Sequence, residues 1–484
     1  MMCTCAKQKH VASDRARREN VTVKNTTNIE REELRQMKTN TDLFEKTPVP
    51  KAVATMAVPT MISMLVVVIY NMADTFFIGQ TKDPLQVAAV SLATPVFMIF
   101  MALGHLFGIG GSSAISRALG ERHKDRACHI SSFCCYGSLG LGVIVAILSV
   151  LGMETILHLI GASVNTIGFA RQYLAIIAIG APFIMFSTAF ANILRGEGAS
   201  RESMVGNLIG TVVNIILDPI MILVLGWGVT GAALATIISQ FSSAFLCMLR
   251  LMRTKDVYQV QISQIRFHKG MLGQIIGIGL PSGMQNSIIS FANIIVQTNI
   301  NKFGVMAVAG CGVYSKIEGF AFLPITCFAM SLTTFIGQNL GARQYDRAKK
   351  GAYFGITCST LLAEVVGVIV FFTIPQLAAA FNSETQVVEF ATKQAHIEAF
   401  FYCFLAFSHC IAGIMRGAGK SAVPMFVMLA SWCIIRITYI TVTVHFIPKI
   451  QVIFWAYPLT WSISSVIFLI YFLKANWLYS FEKK

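Results

Sequence analysis

The chain has 484 residues, of which 55% are hydrophobic and 13% charged, with a mean hydropathy of +0.66 and a formal net charge of +15. Soluble domains carry about 25% charged residues, so a water-soluble fold is excluded: it would expose more apolar surface than its polar residues can cover. The bilayer is the solvent that fits, and the placement of the positive charge, described next, argues against a nucleic-acid binder.

Residues 1–48 are polar and charged, with no apolar stretch before Lys51. They read as a disordered cytoplasmic tail and not as a signal peptide. From Ala52 to Leu473 twelve apolar stretches follow one another, each about 20 residues long and so able to cross a bilayer as a helix. They are joined by short polar loops. The expectation is an all-α membrane protein of twelve transmembrane helices. Numbering the spans from Val53, most of the 38 Lys and Arg fall in the two tails and the even-numbered loops. The odd-numbered loops hold Lys82, Lys302 and Lys449. Lys and Arg mark the cytoplasmic side. Both termini and the central loop from Arg250 to Lys269 are therefore expected in the cytoplasm, with the chain in the plasma membrane. The divisions read as an N-terminal six-helix lobe over 49–250, a cytoplasmic linker over 251–270, a C-terminal lobe over 271–475 and a tail over 476–484.

Ionisable residues inside a span are costly and are functional candidates by default. In span 1, Tyr70 and Asp74 lie one helical turn apart, with Asn71 beside them. In span 5, Asn214 and Asp218 are again one turn apart, and Pro219 frees a backbone carbonyl one turn back. Two carboxylates with amide and carbonyl oxygens suit a hard cation such as Na⁺, or a proton, and Thr236 in span 6 offers a hydroxyl. The alternative is a structural polar cluster. Span 7 carries Asn286, Ser290, Asn293, Gln297 and Asn301 at steps of three and four, one polar face over about four turns. Such a face suits a water-accessible substrate path; interhelical hydrogen bonding is the alternative. Glu318 in span 8 is a candidate to meet a cationic substrate, or to pair with a partner elsewhere. Lys316 is two residues away and on another face. Glu364 and Arg436 read as members of structural salt bridges, and the isolated histidines as structural. The 12 cysteines lack metal-ligand spacing and read as small hydrophobes. No G-x-x-x-x-G-K-[ST] loop is present, so neither ATP nor another cofactor is expected.

The two halves repeat at a nearly constant shift. Leu119-Gly120-x-Arg122-x-x-Asp125-Arg126-Ala127 recurs as Leu340-Gly341-x-Arg343-x-x-Asp346-Arg347-Ala348, and Arg195-Gly196-x-Gly198-x-Ser200 recurs as Arg416-Gly417-x-Gly419-x-Ser421. Pro59 matches Pro281. With six helices in each copy, both halves have the same orientation, the parallel kind of repeat, and substrate sites in such transporters lie at the repeat interface. The positions equivalent to Asp74 and Asp218 are Val296 and Tyr439. That asymmetry favours a specialised ion site in the N-terminal lobe.

Several motifs in order carry a family resemblance. They are Pro59 with Tyr70-Asn71-Met72-Ala73-Asp74-Thr75-Phe76-Phe77-Ile78-Gly79, Leu119-Gly120-Glu121-Arg122, Leu194-Arg195-Gly196-Glu197-Gly198, Asn214-Ile215-Ile216-Leu217-Asp218-Pro219 and Gly228-Val229-Thr230-Gly231-Ala232-Ala233. From about Leu43 to the C-terminus the chain resembles the multidrug and toxic compound extrusion (MATE) family, in its DinF-like branch. The resemblance implies two six-helix lobes in a V and efflux of cationic drugs in exchange for H⁺ or Na⁺. It also implies a cation site at Asp74, Asn214, Asp218 and Thr236. Thr188 and Asn192 both lie near where such sites can include an asparagine of span 4. The long N-terminal tail departs from the family's usual short start.

The function expected is therefore a cation-coupled antiporter, not an enzyme, acting as a monomer on small organic cations among membrane lipids. A lipid-linked sugar flippase is the nearest rival. It is expected to hold several Arg or Lys in its central cavity, whereas the sequence places only Lys316 and Arg436 deep in spans. An ion channel or a receptor is the rival of a different class; no filter sequence is evident for the former.

Overall fold

The computed structural model describes residues 47–81, 83–162, 164–253 and 269–479. Residues 1–46 of the expected tail, most of the linker and the last five residues lie outside the described residues.

Every regular element among the described residues is helical, the arrangement that satisfies backbone groups inside lipid without a neighbouring strand. The first lobe holds α1 (Val49–Gly79), α2 (Pro84–Gly120), α3 (Lys124–Leu151), the short α4 (Met153–Leu159), α5 (Ile167–Ile179), α6 (Ala181–Gly196), α7 (Ser200–Pro219) and α8 (Gly228–Arg253). The second holds α9 (Lys269–Ile300), α10 (Val305–Gly341), α11 (Tyr345–Phe381), α12 (Thr385–Glu398), α13 (Tyr402–Gly417), α14 (Ala422–Met428), α15 (Arg436–Phe446) and α16 (Ile450–Lys474).

Ten helices or continuous helical runs have the length and composition to cross a membrane, and the pair α5–α6, bent by 54° at Gly180, makes an eleventh. The remaining expected span is α9. Its 32 residues are ample, but it is the helix with the polar face, and that face lowers its hydropathy below that of the others. Span 10 is likewise broken, by the 3-10 turn Ala399–Phe401 between α12 and α13. Gly180 and Phe401 are equivalent positions of the repeat, so both copies break the same span at the same place.

Pro219 ends α7, and the chain continues as a π-helical turn over Ile220–Val224. The kink expected from the missing donor thus takes the form of one wide turn directly after Asp218. A second π turn, Leu429–Ile435, precedes Arg436 in span 11.

The lobes meet at one end. α2 and α10, the equivalent helices, are 37 residues each, or about 55 Å at 1.5 Å per residue, longer than the hydrocarbon core. Their C-terminal ends touch. A Cβ on Gly120 would lie 2.1 Å from the Gln338 carbonyl oxygen, and one on Gly341 would lie 2.3 Å from that of Arg117. Only glycine fits either position. Ser113 Oγ donates to the Arg416 carbonyl at 2.7 Å, and Thr334 Oγ1 donates to the Arg195 carbonyl at 3.2 Å. Ser113 and Thr334 are equivalent positions, as are Arg195 and Arg416. The turns that follow α2 and α10 match as well: Arg122 and Arg343 both take left-handed backbone, at φ 60° and 57°.

The helices that begin the lobes also exchange ends. Ala52, Val53 and Met56 of α1 are buried in the core of the second lobe with Ile325 and Phe335, and Ile275 of α9 is buried in the first lobe with Ile115 and Ile193. In lipid, where apolar burial gives no driving force between helices, close packing and hydrogen bonds of this kind hold the joint.

Candidate cation site and inter-lobe cavity

Asp218 reaches the interior of the first lobe because α7 packs between α1 and α8. Asp218 and Asn214 are fully buried, and Thr236 of α8 nearly so. The Asn214 amide donates to Asp218 Oδ1 at 3.2 Å, one turn along α7. From α1, the Tyr70 hydroxyl lies 3.5 Å from Thr236 Oγ1. Asp74 is half-buried and faces the same cluster, where it and Asp218 repel each other electrostatically. Tyr173 of α5 is buried within electrostatic reach of both acids. The side chain of Asn71 lies outside the described residues.

Three oxygens in this cluster have no hydrogen-bond donor among the described residues: Asp74 Oδ1, Asn214 Oδ1 and Asp218 Oδ2. A buried oxygen left without a donor carries its full desolvation cost, and two adjacent carboxylates add mutual repulsion. A small cation or a proton removes both costs. Carboxylate and amide oxygens are the donor set of a hard cation, so the residues present fit Na⁺ as well as H⁺.

Of the expected asparagine from span 4, Asn192 lies elsewhere. Its amide donates to the Thr188 carbonyl and sits 3.2 Å from His105 Nδ1, in a cavity between the lobes. Thr188 bonds its own helix through the Ile184 carbonyl.

That cavity has a volume of about 270 Å³ and lies at the closed joint. α1, α2, α6, α9, α10 and α13 line it. Asn286 of the polar face reaches it; Ser290, Asn293 and Gln297 are exposed further along α9 and are not among its lining residues. The Gln297 amide donates to Asn301 Oδ1 at 3.0 Å, along the stripe itself. Arg195 and Arg416 both line the cavity, one from each lobe, together with His105 and His409. This corrects the sequence reading, which left both arginines in loops. They end α6 and α13, inside the last helical turn. Lys316 lies within the body of α10 and is exposed.

Glu318 is not at the cavity. It is half-buried in the second lobe, with Oε1 unpaired, beside Glu398 and Arg436. Glu398 is fully buried and accepts from Gln394 at 2.9 Å. Sequence reasoning missed it, because Lys393 and His396 make its neighbourhood look like a loop. The break at Ala399–Phe401 is what carries it inside. Tyr314 and Tyr402 share a hydrogen bond of 2.8 Å next to it. Arg436 makes no salt bridge among the described residues. Its guanidinium donates to Thr460 Oγ1 at 2.8 and 3.2 Å and lies over the Tyr457 ring at 4.4 Å. Glu364 is likewise without a salt bridge among the described residues.

The MatE family model matches the chain twice, over residues 59–220 and 281–442. The chain belongs to the MatE family. The two matches fall on the two lobes and restate the repeat. Among curated relatives, the multidrug export protein MepA of Staphylococcus saprophyticus is 31% identical over 389 residues, which cover 80% of this chain and 86% of that protein. MepA of Staphylococcus aureus is 33% identical over 72% of this chain and 77% of its own length. Among solved structures, an outward-facing MATE family transporter of the MOP superfamily superposes with a TM-score of 0.84 at 24% identity, over 90% of this chain and 98% of the other. A MATE structure in a bent conformation gives 0.86 at 24% identity, over 92% and 99%. The two-lobe helical fold is thus shared with other members of the family.

Proposed function

We propose that this MatE protein is a multidrug exporter: a cation-coupled antiporter that moves small organic, positively charged compounds out across the plasma membrane. The coupling ion, H⁺ or Na⁺, is held by Asp74, Asn214 and Asp218 with Thr236 at the edge. The three donor-free buried oxygens of that cluster are the observation that carries the reading. The names of the staphylococcal relatives support drug export, and the run of motifs from Tyr70 to Ala233 supports the DinF-like branch.

The cycle follows from burial and charge. With the ion gone, two carboxylates face each other without a counter-charge, and the lobe relaxes toward an arrangement that admits water or a cation. With the ion bound, the cluster closes on itself. Occupancy therefore biases a two-state rocking of the lobes. One charge crossing 100 mV supplies about 2.3 kcal/mol, a factor of about fifty in an equilibrium, and no nucleotide is required. The distribution of Lys and Arg supports a cytoplasmic position for the closed joint of α2 and α10, so the described arrangement is closed toward the cytoplasm. The exposed face of α9 supplies a polar path for the substrate, and Glu318, whose unpaired Oε1 is buried in the second lobe, is the acid held in reserve for a cation there. Both lobes lie in one chain, and a monomer is sufficient.

The test is efflux of a dye panel from liposomes holding the purified protein, under separate pH and Na⁺ gradients. Saturable export of cationic dyes driven by one of the gradients is expected. Export that ignores both gradients, or that treats net-anionic dyes like matched cations, refutes the proposal.

A further inference from the structure

The repeated Arg-Gly-x-Gly-x-Ser motif has no part in the ion site, yet it places two cations at the junction of the lobes. Arg195 and Arg416 occupy equivalent positions and line one small cavity. Arg195 is buried and donates to Ser203 Oγ at 3.2 Å. The Arg416 guanidinium makes no hydrogen bond or ion pair among the described residues, and no acid lines the cavity. His409 Nε2 is buried there without a hydrogen-bond partner among the described residues. His105 stands against Asn192 through Nδ1; with the amide donating, its Nε2 carries the proton and adds another donor. Arg195 is buried and Arg416 half-buried, and among the described residues neither has the counter-charge that a cation withdrawn from water needs. The C-terminal dipoles of α6 and α13 offset part of this, but they leave the forked donors of Arg416 unused.

We infer that the cavity between the lobes is a subsite for an oxyanion, the carboxylate of a zwitterionic organic substrate, held between Arg195 and Arg416 with His409 as a further donor. The inference rests on the proposed export function and deepens it: substrates that carry a carboxylate as well as an amine are bound better than the amine alone. A planar carboxylate matches the guanidinium fork. The volume of about 270 Å³ takes one end of a drug-sized molecule and not the whole of it. One arginine comes from each lobe, so the anion bridges the surfaces that part when this end opens. A bound carboxylate thereby ties substrate occupancy to lobe position.

The experiment compares a rhodamine bearing a free carboxylate with its methyl ester, by fluorescence anisotropy on purified full-length protein in maltoside micelles without any gradient. The wild type is expected to bind the carboxylate at least tenfold more tightly than the ester. Arg416→Gln and Arg195→Gln are expected to bring the ratio within twofold by weakening the carboxylate alone, and Arg416→Lys to keep part of the preference. Equal wild-type affinities overturn the inference, and this comparison stands even if a variant does not fold. Equal loss of both dyes in Arg416→Gln overturns it too, since that is what a purely structural arginine predicts. Titration with anionic phospholipid is the second arm. Persistence of the preference supports a substrate subsite, while its abolition assigns the cavity to a lipid headgroup phosphate and overturns the substrate reading. Asp218→Asn separates the two proposals. It removes gradient-driven export if the coupling reading is right, while the comparison of carboxylate and ester in wild-type micelles, made without a gradient, is decided independently of that outcome.

Discussion

Replacing Gly341 by alanine should unlatch the joint between the lobes. The new Cβ would stand 2.3 Å from the Arg117 carbonyl oxygen and 3.1 Å from the Glu121 nitrogen, both backbone atoms of the facing lobe. Ordinary contact begins about 1 Å further out, so the helix ends must part by roughly that much. Overpacking of this kind costs about 1–3 kcal/mol. The clash exists only while α2 and α10 touch, so the whole cost falls on the closed state and none on a state in which this end is open. The equilibrium should move by the same energy, a factor of about 5 to 150. Alanine's better helix propensity, worth up to about 1 kcal/mol, acts within one helix in both states and cancels. Spin labels on Lys124 and Lys349, both exposed, report the separation at this end by pulsed electron resonance in a cysteine-free background. Gly341→Ala should add a population at longer distance. Gly140→Ala, with nothing within 4 Å of its Cβ, should not. A distance distribution identical to wild type for Gly341→Ala, in protein of normal stability, would refute the reasoning.

Asp218→Asn should abolish gradient-driven efflux while the protein inserts normally, since the amide keeps the shape and loses the charge; transport at wild-type rates in liposomes contradicts this. Asp74→Asn should remove ion dependence for every substrate alike, whereas Asn293→Ala and Gln297→Ala, on the exposed face of α9, should change which dyes are carried and leave ion dependence in place. Efflux profiles in which the roles are exchanged would rule out that division. Arg436→Ala should lower stability by about 2–5 kcal/mol, because the Thr460 hydrogen bonds, worth about 1.5–3 kcal/mol for a charged donor, and the Tyr457 stack, worth about 0.5–2 kcal/mol, go together. An unchanged thermal midpoint would show that Arg436 is dispensable to the fold.

The helical fold and its repeat were legible because lipid imposes a length and an apolarity on every span, and because duplication left dated motifs at a fixed shift. The Asp74, Asn214 and Asp218 cluster was legible through helical spacing, which the fold then closed by packing α1 against α7. What escaped notice depended on where a helix ends. Glu398, Arg195 and Arg416 all sit within a turn or so of a helix terminus or break. On a hydropathy plot such residues belong to loops, and only the three-dimensional path shows them indoors. Tyr173 carried no sequence signal at all, since a tyrosine in an apolar run reads as core. Asn192 was drawn toward the wrong site because sequence cannot tell which side of a broken helix faces its own lobe and which faces the other.

The exchange of Ser113 and Thr334 for the carbonyls of Arg416 and Arg195 has the form of an isologous contact, each surface meeting its own copy across a two-fold axis. In two separate chains of half this length, one hydroxyl and one carbonyl would have been enough to write both bonds, and every mutation would have struck twice. Joining the halves in a single polypeptide released that constraint. The first half acquired Asp74 and Asp218, while the second answers with Val296 and Tyr439. The seam stayed self-complementary, because there a change on one side still needs its match on the other.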